Sequence, residues 1–397
     1  MIDAGHLRRS DLQGLARIAT DATIGVADLV EALHGAIARP LGGVGASRTR
    51  GVTGLVYGAV RGVTRRVGDC VDAALRPPAP TPAGAASSRE REALLAALNG
   101  VLGEHLAATG NPLAIPMSLQ CGGMRDARAL PTVPRATGSR LLVLVHGLCM
   151  NPLQWNRGGH DHGAVLACAL GATPVYLHYN TGLHTSTNGR AFADQLESLV
   201  AHWPGRVDEV VLLAHSMGGL VARSACNHAA AADHAWLRRL SALVFVGTPH
   251  HGAPLERVGH GIERLLGTTR WSAPFARLGR IRSAGITDLR FGNVLDEHWQ
   301  GRDRFNAPSN TRRNLPLPRG VRCFAVAAST AEGPQPLRDR IVGDGLVTID
   351  SALGRHRDPA RCLAFPASHQ WIGYGMNHLD LLGRADVAQR IARWLKA

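Results

Sequence analysis

The chain has 397 residues, of which 45% are apolar and 19% charged. That is enough apolar sequence for a substantial core, so disorder is not the default, and the length suits one large domain or two ordinary ones. The formal charge of +14 comes from arginines scattered along the chain, Lys396 being the only lysine, and aromatic residues make up only 5%. A nucleic-acid binder would gather its basic residues on one element with aromatics to stack on bases, so no nucleic-acid partner is expected.

The seven cysteines, Cys70, Cys121, Cys149, Cys168, Cys226, Cys323 and Cys362, form no CxxC pair. Odd in number and mostly set in apolar runs, they read as buried free thiols. The opening MIDAGHLRRSDLQG lacks the basic segment followed by an apolar one that marks a signal peptide. No uninterrupted apolar run reaches membrane-spanning length. A cytoplasmic protein is the expectation, with peripheral membrane contact and the oligomeric state left open.

Residues 1–75 form a helical N-terminal region. Leu15, Ile18, Ala22, Val26, Leu29, Leu33 and Ile37 recur at steps of three and four and make one apolar stripe that ends before Pro40. Val56, Val60, Val63, Val67 and Val71 make a second stripe, with Gly54, Gly58 and Gly62 at every fourth position. Arginines at 61, 65 and 66 argue against a membrane span, so the stripe is expected to dock on a neighbouring core and the glycines to allow close packing. Residues 76–88, RPPAPTPAGAASS, are a Pro/Ala-rich linker. Residues 89–139 hold a helix and a loop leading into the core, the helix opening with a capping box of Ser87 and Glu90.

From residue 140 to the end the pattern changes. The short apolar runs RLLVLVHG, PVYLHY, EVVLLAHS, ALVFVGTP, VRCFAVAA and RCLAFP alternate with helical stretches. Runs of that kind are buried parallel strands, and their alternation with helices predicts an α/β fold with a mostly parallel, doubly wound sheet.

In VVLLAHSMGGLVARSAC a strand runs straight into a helix through Ser216. This is the nucleophile-elbow pattern, in which the serine sits on a strained turn and bulky neighbours would collide. Ala214 and Gly218 occupy its two small positions, and Gly219 lets the helix pack close. The N–H of Met217, at the helix start, is a donor for a developing oxyanion. Upstream, LLVLVHGLCMN ends a strand at His146 and Gly147, a turn that would present the Leu148 N–H as the second donor. A serine nucleophile needs a base, and the base an orienting carboxylate. Asp344 lies between two glycines in RIVGDGLV, and His378 follows a glycine-containing loop in WIGYGMNHLDLL. Asp350 is a weaker candidate for the acid because it sits at a helix start. His215 neighbours the serine but faces away from its Oγ in an elbow, which suits packing or support. His250 and His251 are read as pocket wall rather than metal ligands, having no acidic or cysteine companion at ligand spacing.

The motifs HGL, AHSMGG, GTPHHG, GDGLV and MNHLD, in this order, make the stretch from about 140 to 397 resemble the α/β-hydrolase superfamily, within it the lipase-like branch of bacterial triacylglycerol lipases and inositol-deacylase-like hydrolases. The resemblance implies an α/β-hydrolase fold, a Ser216–His378–Asp344 triad and an oxyanion hole of Leu148 and Met217. It also implies a carboxylic-ester substrate, a lipid or another acyl ester, and no cofactor. Calcium-dependent relatives bind calcium through an aspartate two residues after the histidine. Asp380 stands there, but Arg384 replaces the later glutamine of that pattern, and no metal is expected. The insertion at about 253–319 carries amphipathic segments and is expected to be a helical lid. An acyltransferase or thioesterase would use the same triad; a non-catalytic lipid-binding or interaction scaffold would be expected to have lost part of it.

Overall fold

The computed structural model describes residues 8–37, 51–76, 87–121, 138–253, 283–302, 313–335, 339 and 341–397. The chain divides into two compact units, Met1–Ala83 with Leu106–Leu113, and Gly84–His105 with Ala114–Ala397.

In the first unit, α1 (Arg9–Ile37) and α2 (Gly51–Leu75) meet through a polar seam. Arg17 donates to both carboxylate oxygens of Asp72, and Gln13 Nε2 donates to Asp72 Oδ1 at 3.0 Å. Arg61 donates to Asp28 Oδ1 at 2.9 Å and to Glu31. Gly68 lies so close to Thr20 that a Cβ there would be 2.6 Å from its Cγ2. At 100° per residue, Arg61, Gly68 and Asp72 centre about 120° around α2 from the valine stripe. The stripe is therefore turned outward: Val56, Val60, Val63, Val67 and Val71 are all exposed, Val63 by 63%. This corrects the expectation that it docks on a core. The ion pairs choose which face meets α1, because carboxylates and guanidinium groups that leave water must leave it together. Gly58 and Gly62 look into open space rather than serving a close helix contact. Among the described residues, no helix is long and apolar enough to cross a membrane.

The second unit begins with α3 (Arg89–Ala108), which belongs to it as far as His105. Its cap is Ser88 and not Ser87: Ser88 Oγ accepts from Arg91 N at 3.2 Å, while Ser87 Oγ takes the Arg91 guanidinium. The strands are β1 (Ser118–Cys121), β2 (Arg140–Val145), β3 (Asn156–Arg157), β4 (His160–Asp161), β5 (Thr173–His178), β6 (Glu209–His215), β7 (Leu240–Val246), β8 (Arg322–Ala328) and β9 (Gln370–Gly373). The helices α4 (His162–Leu170), α5 (Thr185–Ala201) and α6 (Met217–Ala231) alternate with them. Seven strands form one sheet in the order β1-β5-β2-β6-β7-β8-β9, and β3 and β4 make a separate small ribbon. Every neighbouring pair of the main sheet is parallel except β1 with β5.

Leu141–Val145 on β2 and Leu212–Ala214 on β6 have no exposed surface, as strands covered on both faces require. Strand order, direction and the turn from β6 into α6 make this an α/β-hydrolase fold. The register matters for the site. Val145 pairs with Ala214, and His215 pairs with Val246, so the segments after β2, β6 and β7 leave the sheet side by side at one edge.

One expected strand is displaced. Residues 362–366 of RCLAFP are not a strand; Leu363 N donates to Gly354 O and Phe365 N to Leu363 O, and the edge strand is Gln370–Gly373 instead. Pro366, which lacks an N–H, ends the run, whereas Gln370–Gly373 can pair with β8. Much of the expected lid at 253–319 falls on residues outside those described, as do residues 77–86 of the linker and 122–137 of the loop before β2. The described part of that insertion holds the helix Ala284–Phe291 and the turn Asp296–His298.

Candidate active site

Ser216 has φ 54° and ψ −126°, a left-handed conformation that a non-glycine residue adopts only when its surroundings enforce it. They do so on three sides. Ser216 N donates to Val246 O at 2.9 Å, and Gly219 N donates back to Ser216 O at 3.0 Å. A Cβ on Gly218 would come within 2.4 Å of Val145 O and 2.6 Å of His146 O, and one on Gly219 within 2.0 Å of Thr248 Oγ1. A Cβ on Gly147 would lie 2.9 Å from the Cβ of Ser216 itself. These three glycines let the ends of β2, β6 and β7 close around the serine.

His378 and Asp344 are brought together from their separate loops. His378 Nδ1 lies 2.7 Å from Asp344 Oδ2, and His378 N donates to Asp344 O at 3.0 Å. The other carboxylate oxygen, Oδ1, accepts the backbone N–H groups of Leu346 at 2.9 Å and Val347 at 2.8 Å. The flanking Gly343 and Gly345 have φ 56° and 94°, and a Cβ on Gly343 would strike Val347 O at 2.1 Å. The turn thus fixes the carboxylate with one oxygen committed to its own backbone and the other aimed at the imidazole. Asp350 stands apart from this arrangement, in the first turn of the helix Ile349–Ala352. His378 in turn borders the elbow: Gly247 follows the Val246 carbonyl that holds Ser216, and a Cβ on it would lie 3.1 Å from His378 Cε1. All three residues are nearly closed off from solvent, Ser216 at 7%, Asp344 at 2% and His378 at 4% exposure.

His215 packs against His378. Its Nε2 donates to the His378 backbone oxygen at 3.2 Å, and its ring lies 4.7 Å from the ring of His378. Burial, with the adjacent His378 as the next cause, drives its pKa well below the ordinary range and keeps it neutral. Leu148 and Met217 are buried, and among the described residues no acceptor takes either backbone N–H. Met217 is the first residue of α6, where an intrahelical partner is lacking by geometry.

The segment after β2 is held by His146, which the His-Gly turn already marked in the sequence, and by Tyr179, Asn180, Thr181 and Gly100, which sequence reasoning did not single out. His146 is fully buried with its Nδ1 3.0 Å from Gly147 O, and its ring stacks on Tyr179 at 4.5 Å. The Tyr179 hydroxyl donates to His146 O at 2.7 Å. Cys149 adopts a left-handed φ of 58° and donates its N–H to Thr181 Oγ1 at 3.1 Å. Burial pushes its thiol up to about 12. Gly100 of α3 makes room for it, since a Cβ there would lie 2.1 Å from Cys149 Sγ. Asn180 Nδ2 donates to Gly103 O of the same helix at 2.8 Å. For Asn180 and Thr181 the sequence signal was the polar NT pair after PVYLHY.

His250 packs between Phe245 and Phe365, with ring centroids at 4.7 and 5.6 Å, and His251 faces His356 at 5.0 Å. Asp380 accepts the Asn377 N–H at 2.9 Å and closes the turn that carries His378. Among the described residues, no group of three or more His, Cys, Asp or Glu is placed to hold a metal ion. Cys70, Cys168 and Cys362 are exposed free thiols, against the expectation of burial, while Cys149, Cys226 and Cys323 are buried.

A family model described as a domain of unknown function (DUF7379) matches residues 123–274. No curated protein matches the chain. The chain is similar to the mature form of the Bacillus licheniformis lipase BlEst2 at 19% identity, covering 64% of this chain and 90% of that one with a TM-score of 0.40. It is similar to the Legionella pneumophila phospholipase PlaB at 16% identity, covering 66% and 60% with a TM-score of 0.41. It is also similar to a hyperthermophilic esterase from the archaeon Pyrobaculum calidifontis at 16% identity, covering 84% and 97% with a TM-score of 0.39.

Proposed function

We propose that the protein is a serine hydrolase of carboxylic esters, acting through Ser216, His378 and Asp344. The observation that carries this reading is the buried 2.7 Å contact from Asp344 to His378 Nδ1 beside a serine held in a strained strand-to-helix turn. Asp344 keeps the proton of His378 on Nδ1, which leaves Nε2 with its lone pair as the base. Nε2 takes the Ser216 hydroxyl proton as Oγ attacks the ester carbonyl. The N–H groups of Met217 and Leu148 hold the oxyanion of the tetrahedral intermediate. His378 then gives its proton to the departing alcohol, leaving an acyl-serine, and the same residues activate water to release the acid. The substrate class includes lipid esters, for which the resemblance to lipase-like hydrolases speaks.

The test is hydrolysis of a panel of p-nitrophenyl esters of increasing acyl length, with covalent labelling by a fluorophosphonate. Ser216→Ala and His378→Ala are expected to abolish turnover, and Ser216→Ala to abolish labelling. Turnover by Ser216→Ala at the wild-type rate would overturn the assignment.

A further inference from the structure

We propose that His146, backed by Tyr179, is a positioning residue that locks the Gly147–Leu148 peptide and so fixes the direction of the Leu148 N–H; this rests on the ester-hydrolase reading above. The peptide is planar and trans, so the Gly147 carbonyl and the Leu148 N–H point to opposite sides, and whatever takes the carbonyl sets the N–H. His146 Nδ1 lies 3.0 Å from Gly147 O. The oxygen can only accept, so Nδ1 carries the hydrogen.

The opposite ring nitrogen supports the same conclusion. Among the described residues, the buried His146 Nε2 has no hydrogen-bond partner. Nδ1 is thus the ring nitrogen that makes the side chain's hydrogen bond, and Gly147 O is what it reaches. Burial pushes the His146 pKa down to about 3, so the imidazole stays neutral, with a single N–H, throughout any working range.

A lock is needed here because of what the elbow demands. Position 147 must be glycine, since a Cβ would meet Ser216 Cβ at 2.9 Å. Glycine is also the residue that least resists a flip of the peptide that follows it. The chain is pinned on either side of that peptide, at His146 O by the Tyr179 hydroxyl at 2.7 Å and at Cys149 N by Thr181 Oγ1 at 3.1 Å. The remaining freedom is the flip itself, and the His146 side chain opposes it. Tyr179 holds that side chain by stacking on its ring at 4.5 Å.

The test compares His146→Phe, His146→Asn and Tyr179→Phe with the full-length wild type. Phenylalanine keeps the stack and removes the donor; asparagine puts an amide N–H where Nδ1 was. For p-nitrophenyl butyrate, His146→Phe is expected to lower kcat about 10²-fold with KM within about twofold, the signature of a donor felt only in the transition state. Binding of phenylboronic acid, which forms a tetrahedral adduct on the serine, is expected to weaken by a similar factor. His146→Asn is expected to recover kcat to within about fivefold of wild type. A purely packing role predicts that Asn, which breaks the stack, is the worse variant. Wild-type kcat in His146→Phe, or Asn no better than Phe, would overturn the proposal. Should His146→Phe fail to fold, Tyr179→Phe decides: about tenfold lower kcat at unchanged KM supports the lock, and wild-type kcat refutes it. Ser216→Ala separates the two levels, because turnover surviving in that variant sinks the hydrolase reading itself.

Discussion

Asp344→Asn removes one charge and exchanges one oxygen for an amide nitrogen, and the surrounding bonds dictate which way the amide faces. Oδ1 accepts the N–H groups of Leu346 and Val347. If the asparagine set its NH2 against those two donors, both would lose their acceptor at roughly 1–3 kcal/mol each. The amide oxygen therefore stays on the backbone side and the NH2 faces His378 Nδ1, 2.7 Å away in the wild type. A donor there forces Nδ1 to accept, which moves the imidazole proton to Nε2. The base then offers an N–H to Ser216 where it needs a lone pair. Loss of the counter-charge adds to the effect, and the expected fall in kcat is about 10³ to 10⁴, or roughly 4 to 5.5 kcal/mol in the barrier. The assay is steady-state hydrolysis of a short p-nitrophenyl ester, with thermal melting run in parallel. Because both backbone N–H groups keep their acceptor, the melting temperature of Asp344→Asn should stay near that of wild type. Asp344→Ala should lose stability as well as activity. Wild-type kcat/KM in Asp344→Asn, or comparable damage from Asp350→Asn alone, would refute the reasoning.

Gly147→Ala should cut ester turnover and cost about 1–3 kcal/mol of stability, because the new methyl meets Ser216 Cβ, which is no flexible chain end; an active variant of unchanged melting temperature would contradict the close approach. Stability should fall with acid. Burial lowers the His162 pKa to about 4, so the unfolded chain binds the extra proton from about pH 6.5 downward and the folded state resists it until about 4. The folded state therefore loses up to about 1.4 kcal/mol per pH unit across that window from this residue. His162→Gln keeps a donor for Leu381 O, to which His162 Nε2 now donates at 2.8 Å, and should flatten the dependence measured by denaturant unfolding between pH 7 and 5. Val63→Gln on α2 should change unfolding free energy by less than about 0.5 kcal/mol, whereas Leu144→Ala on the fully buried β2 should cost about 2–5 kcal/mol; a large effect of Val63→Gln would show that the stripe is covered in solution.

The features legible in the sequence were those written into short, contiguous stretches. The buried strands read as apolar runs because a strand covered on both faces has no polar side to interrupt it. The turn at Ser216 read as an elbow because its steric demand falls on immediate neighbours, and Gly218 and Gly219 answer it within three residues. Asp344 and His378 were marked by the glycines that shape their own turns. Decisions that depended on a distant partner were not legible. Nothing in the valine stripe announced that Arg61 and Asp72 would claim a different face of α2 for α1, since a helical stripe says which residues share a face but not which face finds a partner. The edge strand moved from RCLAFP to Gln370–Gly373 because pairing with β8 decides an edge, and that competition is settled only when the sheet assembles. Tyr179, Thr181 and Gly100 reach the loop after His146 from a neighbouring strand end and a helix far earlier in the chain. Their bonds to it exist only after the sheet register has placed the ends of β2 and β5 level with each other.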